Sequence, residues 1–165
     1  MAKRSGILIG TAGVYHVASQ LAQQGFHAAV TFGNAPSVDI LVGQLEGAAT
    51  LSLQVKTSHW ALRTRGRGQN KLPHHYEWDV GQKSANLNQP DLFFVFVDLK
   101  LGKGELPEVF IVPSRRLFDA FDNPYFKSDQ PRRWRWHPLL EEIEGYKNCW
   151  DTLHNRLNKA GGCQL

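Results

Sequence analysis

Three polar residues on two neighbouring apolar segments could do chemistry together: Asp39, Gln54 and Lys56. The Asp39 carboxylate, the Gln54 amide carbonyl and the main-chain carbonyl of Val55 are hard oxygen ligands of the kind that Mg²⁺ prefers. A lysine two residues beyond the amide could orient an attacking water or neutralise charge on a phosphate. The same residue types also occur on ordinary half-exposed strands, and a short D…QxK string often arises by chance, so both interpretations stay open.

The two segments that carry these residues are predicted to be paired strands. Residues 38–42 and 51–56 are short, apolar and rich in β-branched side chains, and the connection between them contains two glycines. An antiparallel hairpin follows from that pattern. Because side chains alternate along a strand, Gln54 and Lys56 share one face, and Asp39 points away from the apolar face of its own strand. If the polar faces coincide, a carboxylate, an amide and an ammonium group converge.

The preceding residues predict a helix and a further strand. Apolar residues recur at helical spacing between Thr11, a suitable N-cap, and Gln24, which a glycine follows. Residues 1–10 are expected to be a flexible start. A strand over 27–32 and a turn over 33–36 then lead into the next strand. This order predicts a three-strand meander packed under one amphipathic helix.

The rest of the chain is predicted to contain one strongly buried strand among loops and short helices. Residues 57–73 are polar and arginine-rich, and they are expected to form a long loop. The apolar run over 92–99 predicts the buried strand, with a hairpin partner over 108–112. The remaining predictions are a short strand over 76–80, a weak helix over 81–89, a helix over 115–121, irregular chain over 122–137, helices over 138–143 and 149–157, and a flexible tail over 160–165.

The bulk composition is that of an ordinary globular protein with a mildly basic surface. All 165 residues are expected to form one domain, 1–165, which is large enough to bury a core. The formal net charge of +4 suits a polyanionic partner. No apolar run has the length of a membrane span and no secretory pattern opens the sequence, so a cytoplasmic location is expected. Cys149 and Cys163 form no CxxC pair, which argues against a zinc site.

Positive charge is concentrated in two segments. One contains Arg63, Arg65, Arg67 and Lys71. In the other, Arg132, Arg133 and Arg135 alternate with Trp134 and Trp136. Each cluster could be a solvated loop. Arginine beside exposed tryptophan also offers phosphate pairing and base stacking, which favours nucleic acid. The same residue types are enriched in protein interfaces, which is a third interpretation.

The order of these elements, with Asp39 followed by Gln54-x-Lys56, resembles the PD-(D/E)XK nuclease superfamily. The strings GNAPSVDILV and LQVKTS, together with residues 92–98, 109–114 and 146–151, resemble a group of small bacterial proteins within that superfamily. The resemblance implies an α/β, restriction-endonuclease-like fold with an αβββαβ core and a mixed central sheet flanked by helices.

The same resemblance implies a metal-dependent phosphodiesterase acting on DNA. Asp39 matches the acidic residue of the second strand, and Gln54 and Lys56 match the (D/E)xK pair. The expected cofactor is Mg²⁺ or Mn²⁺, held by Asp39, Gln54 and the Val55 carbonyl. His59, which follows the lysine strand, could contact phosphate or carry a proton. The full set of expected nucleic-acid contacts is Ser58, His59, Arg63, Arg65, Arg67, Arg132, Arg133 and Arg135.

One position departs from the superfamily pattern. Val14 stands where many members carry a glutamate early in the first helix. Asp39 is then the one carboxylate placed at the site, and a lone carboxylate holds Mg²⁺ weakly. Glu77 and Asp79 are candidates for another. Two hypotheses therefore stand: an active DNA endonuclease, or a weakened or inactive nuclease-fold module that binds nucleic acid or a protein partner. Small nucleases of this fold often act as dimers, so a homodimer is compatible with either.

Overall fold

The computed structural model describes residues 5–31, 37–44, 49–127 and 133–161. The strands within these ranges are β1 (His27–Val30), β2 (Ile40–Gly43), β3 (Thr50–Ser58), β4 (Leu62–Arg65), β5 (Leu72–Tyr76), β6 (Trp78–Asp79), β7 (Leu92–Asp98), β8 (Glu108–Pro113) and β9 (Arg135–Trp136). The helices are α1 (Gly6–Gln23), α2 (Gln82–Ala85), α3 (Ser114–Phe121), α4 (Pro124–Lys127), α5 (Leu140–Ile143) and α6 (Asp151–Gly161). Across these ranges no helix combines the length and apolar character that crossing a membrane requires.

A five-stranded sheet in the order β1-β2-β3-β7-β8 forms the centre of the fold. Its pairs are antiparallel except for β3 and β7, which run parallel with Lys56 opposite Phe96. A parallel pair needs a crossover, and the chain between Ser58 and Leu92 supplies it. The predicted αβββαβ order and mixed central sheet flanked by helices are therefore confirmed.

The central strand β7 is buried along its whole length, because both faces of the sheet are covered. A strand buried on both faces carries a continuous apolar run, and this explains why the sequence predicted it clearly. One face packs Val95 and Leu53 against α1 and α6. The other face packs Phe94 and Phe96 into an aromatic core with Trp78.

The first helix begins six residues earlier than the sequence analysis expected, with its N-cap at Ser5 instead of Thr11. Ser5 caps it by accepting a hydrogen bond from the Leu8 N–H at 3.5 Å, and helical residues start at Gly6. The prediction of a flexible start was therefore wrong for residues 6–10, and residues 1–4 lie outside the described ranges. The helix can start this early because the Ser5 side chain satisfies an N–H group of the first turn, which has no partner within the helix. The predicted turn over 33–36 also lies outside the described residues.

The predicted long loop over 57–73 was wrong, because it contains the end of β3, all of β4 and the start of β5. β3 continues to Ser58, and β4 and β5 form an antiparallel hairpin with an irregular register at Arg63. Its tip needs glycine at Gly66, where φ is +126° and an added Cβ would overlap the Asn70 carbonyl oxygen. The hairpin was missed because its strands are polar and exposed and show no clean apolar alternation.

The expectation of irregular chain over 122–137 was also wrong in part. α4 lies within this segment, and β9 pairs with β6, placing Trp136 opposite Trp78. Trp136 is buried in the aromatic core rather than exposed. The final helix runs over Asp151–Gly161 rather than 149–157, so the predicted flexible tail was wrong for residues 160–161, and residues 162–165 lie outside the described ranges.

Gly13 lies where α1 approaches β3 most closely. A Cβ added at this position would overlap the Thr57 hydroxyl oxygen and lie 2.8 Å from the Thr57 Cβ. We expect Gly13→Ala to lower the free energy of unfolding by about 2–3 kcal/mol, because the helix must move off the sheet. Urea unfolding measures this loss.

Gly10 provides the matched control on the same helix. No atom lies within 4 Å of a Cβ added there. Gly10→Ala is therefore expected to raise the free energy of unfolding by up to about 1 kcal/mol, the gain in helix propensity. Equal effects of the two alanines would contradict the close approach at Gly13.

Glu108 joins a cluster of charges where β8 begins. Its carboxylate accepts hydrogen bonds from the Tyr76 hydroxyl at 2.6 Å and from the Lys147 ammonium at 2.7 Å, and Lys100 lies 3.1 Å away. Burial favours a higher pKa for this carboxyl. The hydrogen bonds from Lys147, Tyr76 and Lys100 outweigh burial and hold the pKa below its ordinary value of 4.5.

A folded-state pKa below the unfolded value makes Glu108 stabilising at neutral pH, and this contribution is lost as the pH falls through the folded pKa. We expect Glu108→Gln to lower the free energy of unfolding at neutral pH by about 2 kcal/mol. At acid pH the difference should shrink, because the wild-type carboxyl is itself protonated. Thermal unfolding across pH tests this, with Glu105→Gln as the more exposed control. A loss independent of pH would argue against the assigned charge.

Candidate functional site

Asp39 lies immediately before β2 and reaches the edge of β3. Its N–H donates to the Leu53 carbonyl at 2.8 Å, and its carboxylate oxygen Oδ2 accepts the Val55 N–H at 2.7 Å. In a strand the N–H and C=O of one residue point to the same edge. The Val55 carbonyl therefore points to the edge at which the Asp39 carboxylate lies, as the sequence interpretation required.

Gln54 and Lys56 lie on the face of β3 opposite α1, together with the aromatic core. The predicted alternation is confirmed, because Leu51, Leu53 and Val55 pack on the α1 side. The Gln54 side-chain oxygen Oε1 is buried and has no hydrogen-bond partner in the described part of the chain. A buried acceptor without a donor is costly, so this oxygen is suited to a ligand that the protein itself does not supply.

Lys56 is mostly enclosed, and its ammonium nitrogen Nζ donates to the Ser84 hydroxyl at 3.0 Å. Burial lowers the pKa of Lys56, while the negative charges of Asp39 and Asp79 act in the opposite direction. Asp39 and Lys56 therefore interact electrostatically, although Asp39 lies at the edge of β3 and the Lys56 side chain lies on a face of the sheet. Asp79, which the sequence left open as a second carboxylate, also acts on Lys56.

A cleft of about 320 Å³ opens beside Asp39 on the α1 side of the sheet. Val55 and Asp39 form one wall, and Val14 and Tyr15 of α1 form another. Val14 thus lies beside the Asp39 carboxylate, at the place where the superfamily pattern has a glutamate. Val14 also packs against the core on this side of the sheet, and it is partly buried.

The candidate donors are of the chemical type that a hard divalent cation takes, although the Gln54 side chain lies on the face of β3 opposite the cleft beside Asp39. Asp39, the Gln54 Oε1 atom and the Val55 carbonyl are all oxygens, the ligand type of Mg²⁺ and Mn²⁺. Over the described ranges, no group of three or more His, Cys, Asp or Glu side chains could hold a metal ion. Asp39 is therefore the one carboxylate of the candidate donor set in the described part of the chain, and its other donors are neutral oxygens.

Ser84 is a residue that the sequence analysis missed. It is buried on α2, and it reaches Lys56 across 28 positions of sequence. α2 is a four-residue helix with no apolar period, so nothing local predicted that a serine there meets the lysine. The one weak signal in the sequence was the pair of small residues Ser84 and Ala85, a type of pair that can be buried, as both are here.

Glu77 joins the two basic segments that the sequence predicted separately. Its carboxylate contacts Arg63 at 3.4 Å and Arg135 at 2.8 Å, and His137 lies 3.5 Å away. Arg135 also approaches Asp79 at 3.7 Å. Arg63 and Arg135, two of the predicted phosphate contacts, are therefore already ion-paired. Glu77 takes part in this pairing rather than in the Asp39 site.

The other predicted nucleic-acid contacts lie around this pairing. Arg65, Arg67, Arg133 and His59 are exposed, whereas Ser58 is half-buried and its hydroxyl accepts the Trp60 N–H at 3.2 Å. A smaller cleft, of about 210 Å³, runs from the end of β3 to Arg63, Asp79 and Arg135. Arg132 lies outside the described residues. The expected exposed tryptophan pair was wrong, because Trp136 is buried and Trp134 packs on Phe121 and Phe126.

The structure is similar to that of a bacterial homing endonuclease, I-Ssp6803I, with a TM-score of 0.58 and 14% sequence identity. The match covers 96% of this chain and 98% of that chain. The chain has a nuclease fold. No family model matches the sequence, and no curated protein matches it. At this identity the likeness concerns the fold, and the PD-(D/E)XK motif stays a prediction.

Proposed function

We propose that this protein is a divalent-metal-dependent endonuclease that hydrolyses phosphodiester bonds in DNA through a PD-(D/E)XK-type site. The observation that supports it most is the hydrogen bond from Val55 N–H to Asp39, flanked by Gln54 and Lys56. The nuclease fold adds to this support. A homodimer and a cytoplasmic location stay predictions.

Asp39, Gln54 Oε1 and the Val55 carbonyl would hold the cation. When bound, Mg²⁺ or Mn²⁺ supplies Lewis acidity toward a phosphate oxygen and acidifies water. The Val55 N–H fixes one Asp39 oxygen, so the carboxylate keeps its direction without help from the cation. Such preorganisation spares reorganisation during the reaction.

Lys56 is the proposed general base of the site. Burial lowers its pKa, so a larger fraction of Lys56 than of a surface lysine is the neutral amine that can accept a proton. It can then take a proton from the attacking water and, once charged, stabilise the negative phosphate. Ser84 holds Nζ in place while this happens.

DNA would be held by the basic residues around the site. Arg65, Arg67 and Arg133 present exposed guanidinium groups, and Arg63 and Arg135 form a second row fixed by Glu77. Ser58 and His59 stand at the end of β3 between these rows and the site. Arg132 completes the proposed set. Phosphate contacts of this kind position the strand without reading its sequence.

Cleavage of supercoiled plasmid and of single-stranded DNA tests the proposal. Wild-type protein should cleave with Mg²⁺ or Mn²⁺ and stop when EDTA removes the metal. Asp39→Asn should lose cleavage, because it removes the one carboxylate of the donor set. Asp119→Asn, an exposed aspartate paired with Arg115 on α3, is the control and should cleave like the wild type. Full activity of Asp39→Asn would refute the proposed site.

A second candidate function is a nuclease-fold module with weak or no activity that binds nucleic acid or a protein partner. Val14 favours it, because an apolar side chain lines the cleft beside Asp39. This module would bind DNA with a steep salt dependence and without need of divalent metal. Wild-type cleavage that depends on Asp39 would exclude it.

Ser84→Ala tests how Lys56 is positioned. Without the hydroxyl, the ammonium loses its fixed partner, and we expect kcat to fall about tenfold while KM stays unchanged. Ser84→Thr keeps a hydroxyl and should restore most of the rate. Ser114→Ala is the matched control, since Ser114 is equally buried but bonds to the Gln89 main chain. A kcat loss in Ser114→Ala as large as that in Ser84→Ala would mean that the effect is one of stability.

A further inference from the structure

A third concave region, of about 760 Å³, lies between α3, α4 and the segment that contains β9. Its volume falls within the usual range of ligand sites, about 300–1,000 Å³. Its lining combines arginine and histidine side chains with aromatic rings: Arg116, Arg133, His137, Tyr125, Phe126 and Trp136. We refer to it as the arginine–aromatic cleft.

Two of the arginines in this cleft are available to an anion. Neither Arg116 nor Arg133 forms an ion pair with another described residue, whereas Arg135 is held by Glu77. The acidic residue of the lining, Glu142, is already engaged, since its Oε2 atom accepts the Leu139 N–H at 2.8 Å. The cleft therefore has a surplus of positive charge.

The aromatic wall is built and held by packing. The Phe126 ring lies 4.6 Å from the Phe121 ring and 5.0 Å from the Trp134 ring, measured between centroids. Tyr125 meets Phe126 edge-on at 4.8 Å and keeps 60% of its surface exposed. Rings fixed in this way can stack on a planar group with little loss of side-chain entropy.

We propose that the arginine–aromatic cleft binds an unpaired segment of a DNA strand, with phosphates at Arg116 and Arg133 and a base against the ring of Phe126. A cationic groove combined with aromatic platforms is how proteins hold single strands. In a duplex the bases are stacked inside the helix and cannot reach a recessed ring. The proposal rests on the proposed nuclease function and specifies which form of its substrate the protein grips.

The cleft is connected to the candidate catalytic site through one residue. Arg135 lines both the arginine–aromatic cleft and the smaller cleft at the end of β3. Asp79 and Thr57 line that smaller cleft, and Asp79 acts on Lys56. A strand seated in the arginine–aromatic cleft can therefore continue past Arg135 toward Lys56.

Fluorescence anisotropy with a labelled oligothymidine of about 12 nucleotides, and with a duplex of equal length, tests this without cleavage when EDTA is present. We expect Arg116→Glu and Arg133→Glu each to weaken single-strand binding about tenfold or more. Phe126→Ala should weaken single-strand binding about tenfold and leave duplex binding unchanged. Arg115→Glu is the control, because Arg115 neighbours Arg116 on α3 but is paired with Asp119 outside the cleft.

The two arginine variants keep the test decisive if Phe126→Ala fails to fold, since Arg133 is exposed. Equal losses from Arg115→Glu and Arg116→Glu would indicate a general charge effect and overturn the proposal. If Phe126→Ala weakened duplex binding as much as single-strand binding, the proposal would also be overturned. If the protein cleaves DNA but does not bind the single strand, the binding inference is overturned and the proposed nuclease function stands. If it binds the single strand but does not cleave DNA, the binding inference is supported and the proposed catalysis is refuted.

Discussion

Lys56→Met is expected to reduce DNA cleavage about 100- to 1,000-fold while leaving DNA affinity within about twofold of the wild type. Methionine keeps an apolar stem of similar length in the enclosed space, but it can neither take a proton nor carry charge. Initial cleavage rates with Mg²⁺, together with anisotropy in EDTA, measure the two quantities separately. Cleavage at the wild-type rate would show that Lys56 is not the catalytic base.

The folded state of this variant is expected to remain intact. Burial lowers the pKa of Lys56, so the charged lysine is less favourable in the folded protein than in the unfolded chain, and methionine removes that cost. Its thermal midpoint should equal or exceed the wild-type value. Lys83→Met, on the exposed side of α2 and next to Ser84, is the matched control and should change neither cleavage nor stability.

Val14→Glu is expected to increase divalent-metal affinity and the cleavage rate by roughly tenfold or more, because added carboxylate charge strengthens a hard-cation site. The new carboxylate would enter the cleft already lined by Asp39 and Val55. Without metal, two neighbouring carboxylates repel, so the variant should lose stability and recover it when Mg²⁺ or Mn²⁺ is added.

Isothermal titration with Mn²⁺ measures the affinity independently of activity, and thermal unfolding with and without Mn²⁺ measures the recovery. Ala12→Glu places the same charge on an exposed position of α1 and is the control. Metal binding by Val14→Glu no tighter than by Ala12→Glu would show that the Asp39 cleft is not the metal site. Activity that appears only in Val14→Glu would favour the inactive-module hypothesis for the natural sequence.

The strands that carry Asp39, Gln54 and Lys56 were predictable because apolar residues alternate with polar ones where one face is buried. The bond between Asp39 and the Val55 N–H was not, since it depends on how the backbone enters β2. Residue types and spacing placed Lys56 on β3 and Asp39 directly before β2, and tertiary structure decided which atoms meet.

The wrong and missing sequence predictions also arise where tertiary contacts, rather than local sequence patterns, determine the structure. The β4–β5 hairpin is polar on both sides, so its pairing left no hydrophobic trace in the sequence. Trp136 was expected to be exposed because arginines flank it, but pairing with β6 turns its ring into the core while Arg135 reaches Glu77. Ser84 could not be predicted, because the Lys56 contact joins elements that no local pattern connects.

The parallel β3–β7 pair has a consequence for how the chain folds. β1, β2 and β3 pair with sequence neighbours, and β7 pairs with β8 across a short connection. The two halves meet at β3–β7, whose pairing closes a loop that spans the β4–β5 hairpin and α2. Loop closure is entropically costly and slows folding. Gln54 and Lys56 lie on that seam. The bond between Asp39 and Val55 lies within the first half, whereas the enclosure of Lys56 and its contact with Ser84 depend on the crossover that joins the halves.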